Sequence, residues 1–287
     1  AINLMKAGIV YSNFVTTVSP HYAWEILNTN QNFGLGHTLQ VHRAKIGGIL
    51  NGIDYEVWNP EIDRHIPRPY GLNTLDDKYE NKKALRQRFW LRDVLKPMVC
   101  YVGRLDEQKG VPLITHAIHY CLQHGCQFVL LGTSADARIG QHFWRLKQHY
   151  NDNPDCHLEL SFNEELSHLI YAGAEMMVVP SLFEPCGLTQ MIALKYGAVP
   201  IVRATGGLAD TVFDAHHAER PYHERNGFVF KDFNAPGIES ALHRAIGMWY
   251  SYPQHFRELV TNGMRCDYSW NYPGQDYLNI FELIRDK

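Results

Sequence analysis

Two short loops of the sequence contain charged residues that could bind a phosphorylated ligand. The first loop, "GRLDEQKGVP", contains Arg104 and Lys109. The planar guanidinium of arginine matches phosphate oxygens and the ammonium of lysine is a mobile point charge, so together the two side chains can neutralise a diphosphate. The alternative is that both cations pair with Asp106 and Glu107 on the protein surface.

The second loop, "FEPCGLTQ", contains the carboxylate of Glu184 directly before a proline. A helix predicted to begin at Gly187 would direct the free amides of Gly187, Leu188 and Thr189 towards an anion. Glu184 could favour the positive end of that helix. Residues that cap helices through direct hydrogen bonds are usually Ser, Thr, Asp or Asn, however. We therefore interpret Glu184 as an acceptor for hydroxyl groups of a polyol ligand.

A third loop, "ATGGLADTV" (204–212), contains two adjacent glycines, Gly206 and Gly207. We expect them to let the backbone approach a ligand closely, because glycine has no side chain to obstruct it. None of the three loops contains the GxGxxG or P-loop pattern, so their glycines alone do not identify a nucleotide site.

Alternating apolar runs and amphipathic stretches predict the elements that position these loops. Helices are expected at 111–124, 139–150, 163–172 and 187–196. Strands are expected at 98–103, 127–132, 156–161, 176–181 and 198–203, with a weaker sixth at 227–232. Strands that are apolar throughout and separated by helices predict an α/β fold with a doubly wound, Rossmann-like parallel sheet. Ligands of such sheets bind outside the carboxyl ends of the strands, where all three loops would lie.

Composition and charge exclude several classes of protein. The 287 residues include 27 Lys and Arg against 30 Asp and Glu, so no positive field would attract nucleic acid. No apolar run approaches the roughly 18 residues of a membrane span. The six cysteines form no CxxC pair and predict thiols in a reducing compartment. His116 and His119 lie on the polar side of a predicted helix, and His37 and His42 lack zinc-like partners, so we predict neither a metal nor a cofactor.

The sequence resembles the glycogen and starch synthase family, and class III starch synthases most closely. The matching stretches follow the family order across nearly the whole chain: "TVSPHYAWEI", "LNGIDYEVWNP", "VGRLDEQKGVPLI", "NDNPDCHLELSFNEELSHLIYAGAEMMVVPS", "FEPCGLTQ" and "ATGGLADTV". The resemblance implies a two-domain GT-B glycosyltransferase that transfers glucose from ADP-glucose to an α-1,4-glucan with retention of configuration.

The same resemblance implies roles for individual residues. Arg104 and Lys109 would hold the diphosphate, and Glu184 would accept hydrogen bonds from the glucose hydroxyls. Phe162 would lie against the adenine, and Asn51 is a weaker candidate for the sugar pocket. The remaining members of the predicted nucleotide-sugar site are Cys186, Gly187, Leu188 and Thr189.

Two departures from the family pattern qualify this assignment. Many retaining GT-B enzymes have a second glutamate eight positions after the first, where this chain has Ile192, although the synthase family itself tends to lack that glutamate. The family's amino-terminal half, with its "KTGGL" loop and acceptor surface, is also missing from the sequence. We therefore predict an incomplete tail of the N-terminal domain at 1–48 and a nucleotide-sugar-binding domain at 49–265. Residues 266–287 would form a helix that packs on the absent domain.

Three functions remain open from the sequence. The first is the donor-binding portion of a glucan synthase in the bacterial cytoplasm or plastid stroma. The second is a nucleotide-sugar or glucan binding fragment without catalysis. The third is a GT-B enzyme with another acceptor, such as sucrose-phosphate synthase.

Overall fold

The computed structural model describes residues 3–216 and 219–285, so predictions for the chain ends and for 217–218 lie outside the described residues. The strands are β1 (Val15–Thr17), β2 (Ile46–Gly48), β3 (Met98–Val102), β4 (Gln127–Leu131), β5 (Cys156–Glu159), β6 (Met176–Val179), β7 (Val199–Arg203) and β8 (Phe228–Phe230). The helices are α1 (Leu4–Tyr11), α2 (Pro20–Asn28), α3 (Gly36–Val41), α4 (Lys78–Arg88), α5 (Val111–Gln123), α6 (Ala137–Tyr150), α7 (Glu164–Gly173), α8 (Thr189–Lys195), α9 (Gly206–Thr211), α10 (Ala235–Ser251), α11 (Pro253–Arg265) and α12 (Asn271–Arg285).

Six strands form one parallel sheet in the order β5-β4-β3-β6-β7-β8. All six predicted strands are therefore confirmed, including the weaker sixth. Strands β4 and β6 are buried along their whole length because helices cover both faces of the sheet. The predicted α/β, doubly wound architecture is confirmed.

The amino-terminal strands form a separate two-stranded parallel sheet, β1-β2. Helix α2 begins at Pro20 because the Ser19 hydroxyl accepts a hydrogen bond from the amide of Tyr22. The same hydroxyl donates to Asp210 at 2.5 Å, and Thr205 donates to Glu25 at 2.9 Å. Polar contacts thus join α2 to α9.

Several helices differ from the sequence-based expectation. The segment 59–80 is irregular only as far as Gly71. A 3₁₀ turn then leads into α4, whose highly charged sequence obscures its short apolar face. The region 204–212 is not an open loop, because α9 occupies most of it. Helices α10 and α11 are additional to the predicted helices.

Other features concern the described residues alone. No helix among them is long and apolar enough to cross a membrane. They contain no group of three or more His, Cys, Asp or Glu residues arranged to hold a metal ion. Cys186 and Cys266 are partly exposed, and the other four cysteines are buried free thiols.

Candidate active site

The candidate site lies at the carboxyl ends of β3 and β6, the two central strands of the sheet. Strand β3 continues outward to β4 on one side, and β6 continues to β7 on the other. The strand order reverses at this pair, which is where open α/β sheets form a crevice for ligands. Loop 103–110 follows β3 and loop 180–188 follows β6, so both loops lie at this edge of the sheet.

The two loops are hydrogen-bonded to each other. The amide of Leu182 donates to the carbonyl of Gln108 at 2.8 Å, and the Gln108 side chain donates to the carbonyl of Phe183 at 3.3 Å. Gly110 has a φ of +79°, and a Cβ there would lie 2.2 Å from the carbonyl oxygen of Pro180. Only glycine permits this turn and this contact, so the loops act as one unit.

Lys109 and Glu184 meet inside this unit. The Lys109 Nζ lies 2.6 Å from Glu184 Oε2, and the Ser181 hydroxyl donates to the same oxygen at 2.9 Å. Asp106 accepts a hydrogen bond from the Lys109 amide and so fixes the backbone of the lysine. Glu184 is only 6% exposed. Its Oε1 accepts no hydrogen bond from residues 3–216 or 219–285, which leaves one carboxylate oxygen available to a ligand.

Arg104 does not join that pair. Its guanidinium lies 3.1 Å from Asp106 and 3.3 Å from the Gln108 side chain, and the side chain is 67% exposed. The predicted alternative, pairing within its own loop, therefore describes Arg104 but not Lys109. Arg104 nevertheless lies at the wall of the cavity next to the loops, where an incoming anion could compete with Asp106 for it.

That cavity has a volume of about 360 Å³ and extends from loop 103–110 towards β5. Phe162, which follows β5, is 86% exposed and lines it. The other lining residues are Trp58, Val102, Gly103, Arg104, Leu131, Gly132, Thr133, Ser161, Asn163, Glu164, Ser167, Tyr171, Thr189 and Ile192. The size and the mixture of apolar walls with a few polar groups fit a small-molecule ligand.

The backbone at the start of α8 faces the same region. Gly187 turns with a φ of +73°, and Leu188 precedes the first helical residue, Thr189, without a side-chain cap. The helix begins two residues later than expected, and Glu184 does not cap it. Within the described residues, the amides of Gly187, Leu188 and Thr189 donate no hydrogen bond. They remain available to an anion.

Asn51 and Cys186 are neighbours at the base of the second loop. The Asn51 backbone lies next to the Cys186 thiol, and the Asn51 side chain accepts a hydrogen bond from the Tyr277 hydroxyl of α12 at 3.1 Å. Burial raises the pKa of Cys186 to about 11, so the thiol stays protonated at neutral pH. Cys186 is a packing residue here rather than a nucleophile.

Gly206 and Gly207 pack closely against the backbone of the loop that contains Glu184. A Cβ at residue 206 would lie 1.9 Å from the carbonyl oxygen of Glu184, and one at 207 would lie 1.8 Å from that of Cys186. The Gly207 amide donates to the Glu184 carbonyl at 3.0 Å. Both glycines therefore support the loop that contains Glu184, and the approach of a ligand to their backbone stays a prediction.

Sequence reasoning missed one wall of the cavity. Trp58 lines it and stacks on the buried imidazole of His168, with ring centroids 4.1 Å apart. Behind the ring, Asp63 binds both His168 and Tyr196. Trp58 in "LNGIDYEVWNP" is the signal that could have identified this wall. The segment that follows it has no periodicity and predicts only an irregular crossing.

Comparison with known proteins identifies the family. The family model described as "Glycosyl transferases group 1" matches residues 84–259, and "Starch synthase catalytic domain" matches residues 1–41. Glycogen synthase 1 of Nitrosococcus oceani is 67% identical over 99% of this chain and 58% of that protein. Glycogen synthase 2 of Methylococcus capsulatus is 63% identical over the whole chain and 59% of that protein. The chain thus spans well under two thirds of the length of these relatives.

Solved structures give the same result. The catalytic domain of starch synthase IV from Arabidopsis thaliana, bound to ADP and acarbose, is 41% identical with a TM-score of 0.95. The match covers 98% of this chain and 57% of that one. A sucrose-phosphate synthase from Thermosynechococcus elongatus is 23% identical with a TM-score of 0.66, covering 98% of this chain and 61% of that one, which shows a shared fold alone. The predicted resemblance to glycogen and starch synthases is confirmed, and the chain belongs to the Glycosyl transferases group 1 family.

Proposed function

We propose that the protein containing this chain is a retaining glucosyltransferase that extends α-1,4-glucan with glucose from ADP-glucose. This chain would be its donor-binding portion. The observation that carries the proposal is the buried Lys109–Glu184 pair, together with a cavity of about 360 Å³ that Arg104 of the first loop and Thr189 of α8 line. The ADP in the related starch synthase IV structure supports ADP as the leaving nucleotide.

Different residues of the site would bind different parts of the ADP-glucose donor. Phe162 would lie against the adenine, and Arg104 and Lys109 would bind the diphosphate. The amides of Gly187, Leu188 and Thr189 would bind the distal phosphate, and Glu184 Oε1 would accept a hydrogen bond from a glucose hydroxyl. Asn51 and Cys186 lie behind Glu184 and would close the sugar pocket.

Transfer would break the bond between glucose C1 and the terminal phosphate oxygen. ADP leaves with the bonding electrons, the acceptor hydroxyl oxygen bonds to C1, and the proton of that hydroxyl is taken up by the departing phosphate oxygen. Lys109 and the amides before α8 stabilise the charge that develops on ADP. Because Lys109 is already held by Glu184 at 2.6 Å, it needs no reorganisation as the charge appears.

We place this activity in a bacterial cytoplasm rather than a plastid. Relatives that are 67% and 63% identical over nearly the whole chain are bacterial glycogen synthases. The acceptor glucan and the amino-terminal portion of the enzyme are further expected partners.

The deciding assay uses the full-length protein with ADP-glucose and UDP-glucose as donors, and with glycogen and fructose 6-phosphate as acceptors. We expect incorporation into glycogen from ADP-glucose. Incorporation only into fructose 6-phosphate would overturn the proposed acceptor. Calorimetric binding of ADP-glucose without any transfer would instead identify a non-catalytic binding module.

A further inference from the structure

The wall of the cavity formed by Trp58 belongs to an irregular segment, yet its position is closely defined. The indole stacks on the His168 imidazole at 4.1 Å with an interplanar angle of 9°, and it meets the edge of Tyr171 at 5.7 Å and that of Tyr196 at 6.4 Å. Its backbone amide also donates to the Asp54 carbonyl at 2.7 Å. One face of the indole is therefore covered by protein, while the ring still lines the cavity.

A buried polar cluster holds the imidazole beneath this indole. His168 Nδ1 lies 2.8 Å from Asp63 Oδ2, and the Tyr196 hydroxyl donates to the same oxygen at 2.5 Å. The His65 amide donates to Asp63 Oδ1 at 2.8 Å. Asp63, His168 and Tyr196 are all buried. We call these three side chains the Asp63 cluster.

The Asp63 cluster is stable at neutral pH. Burial acts to raise the pKa of Asp63, but the hydrogen bonds from His168, Tyr196 and the His65 amide outweigh it, so the pKa lies below its ordinary value. The carboxylate is thus ionised and holds both partners. Satisfied buried networks of this kind fix the side chains they contain.

The cluster also connects the two halves of the candidate site. His168 belongs to α7, and Tyr196 directly follows α8, whose first residue is Thr189 at the predicted phosphate-binding amides. Asp63 lies 105 positions from His168 and 133 from Tyr196 in the chain. It therefore links an irregular segment to the helix that starts at the other end of the cavity.

We propose that Trp58 is a binding residue for the nucleoside half of the donor, and that Asp63, His168 and Tyr196 are positioning residues that set its indole against the cavity. The inference rests on the proposed function for the nature of the ligand. The nucleoside would bind between Phe162 at the open rim and Trp58 at the supported wall. The supported wall would set how deeply the base enters.

The first test measures ADP binding to the full-length protein by calorimetry and by tryptophan emission. We expect Trp58→Phe to remove most of the ADP-dependent emission change and to raise the Kd for ADP about fivefold, because part of the aromatic contact is lost. Trp144→Phe is the matched control, since Trp144 is an exposed residue of α6 outside the cavity. An unchanged Kd and an intact emission change in Trp58→Phe would overturn the inference.

The second test separates positioning from general stability. Tyr196→Phe removes the hydroxyl that binds Asp63, whereas Tyr268→Phe removes a hydroxyl that donates to the Thr211 carbonyl at 2.8 Å and binds no residue of the cluster. We expect both variants to unfold at lower temperature. Only Tyr196→Phe should raise the Kd for ADP and the KM for ADP-glucose, about threefold, with kcat nearly unchanged. Equal effects of the two variants on Kd, or none from either, would overturn the positioning role.

Failure of the inference differs from failure of the proposed function. If the wild-type protein binds no ADP, both fall together. If it binds ADP and transfers glucose but Trp58→Phe behaves as the wild type, only the inference falls.

Discussion

The charged and the aromatic parts of the candidate site are organised in opposite ways. Lys109, Glu184 and Ser181 are paired with one another before any ligand arrives, and Glu184 is buried. Phe162, in contrast, stands 86% exposed at the rim of an open cavity. Charges fixed in advance can favour a transition state, whereas an exposed ring gains contact area only when a ligand covers it. Changes in the charged part should therefore lower kcat, and changes at the aromatic rim should raise KM.

The largest effect is expected from Glu184→Gln. The substitution keeps the size of the side chain but removes the charge that holds Lys109 and accepts glucose hydroxyls. We expect kcat for glucosyl transfer to fall at least about a hundredfold, as for loss of a preorganised electrostatic contact. Glu107→Gln, an exposed change in the first loop, should leave the rate near that of the wild type. Near-normal activity of Glu184→Gln would contradict the role assigned to Glu184. It would also contradict the distinction between the charged and the aromatic parts of the site.

Lys109→Met should separate stability from activity. Removing the lysine leaves the Glu184 carboxylate buried without its partner, which we expect to lower the free energy of unfolding by about 3 kcal/mol in a urea titration. The double variant Lys109→Met/Glu184→Gln should recover part of that loss but none of the activity. Arg104→Met is the matched control for stability, because Arg104 is 67% exposed. If Arg104→Met destabilises the protein as much as Lys109→Met, the pairing of Lys109 with buried Glu184 does not contribute more to stability than the exposed Arg104.

Phe162→Ala tests the aromatic part. We expect the KM for ADP-glucose to rise by up to about tenfold through loss of aromatic contact, with kcat and the unfolding temperature nearly unchanged. Phe162→Tyr keeps the ring and should behave as the wild type. A fall in kcat with constant KM would show that the rim takes part in the chemical step and would remove the distinction between the two parts.

The smallest expected effect is on the free energy of unfolding at acid pH. The pKa values of Asp63 and Asp155 lie below the ordinary 3.8, because hydrogen bonds outweigh the opposing effect of burial. Their stabilisation is complete above pH 3.8 and is lost as the pH falls through their lower folded-state pKa values. Asp63→Asn and Asp155→Asn should each flatten the dependence of the unfolding free energy on pH in that acid range. Only Asp63→Asn should also raise the KM for ADP-glucose, and an equal KM change in both would count against a specific link to the aromatic wall.

Much of the fold could be predicted from the sequence because the signals were local. Parallel strands covered on both faces are largely apolar, so β3, β4, β6 and β7 each stand out as a short run, whereas the edge strand β5 is buried only at alternate residues. Helix α4 was missed since its eleven residues are mostly charged and its apolar contact depends mainly on Leu85. Helix α9 was missed because two adjacent glycines favour a loop when no tertiary contact is known.

The candidate site could be predicted only in part for a similar reason. Lys109 and Glu184 both follow central strands, so sheet topology alone places them at the same edge. The pairing of Arg104 within its own loop depends on side-chain rotamers that no pattern specifies. Trp58 and the Asp63 cluster join residues more than a hundred positions apart across a segment without any period.

Gly206 and Gly207 carry a consequence for how this protein tolerates mutation. Any side chain at either position would collide with the carbonyl of Glu184 or Cys186. The packing of these two glycines therefore limits where the Glu184 carboxylate can lie. In a saturation library selected for glucan synthesis, substitutions at these two positions should be as depleted as substitutions at Glu184. The positions that tolerate no mutation would then include residues that pack against the loop of the site.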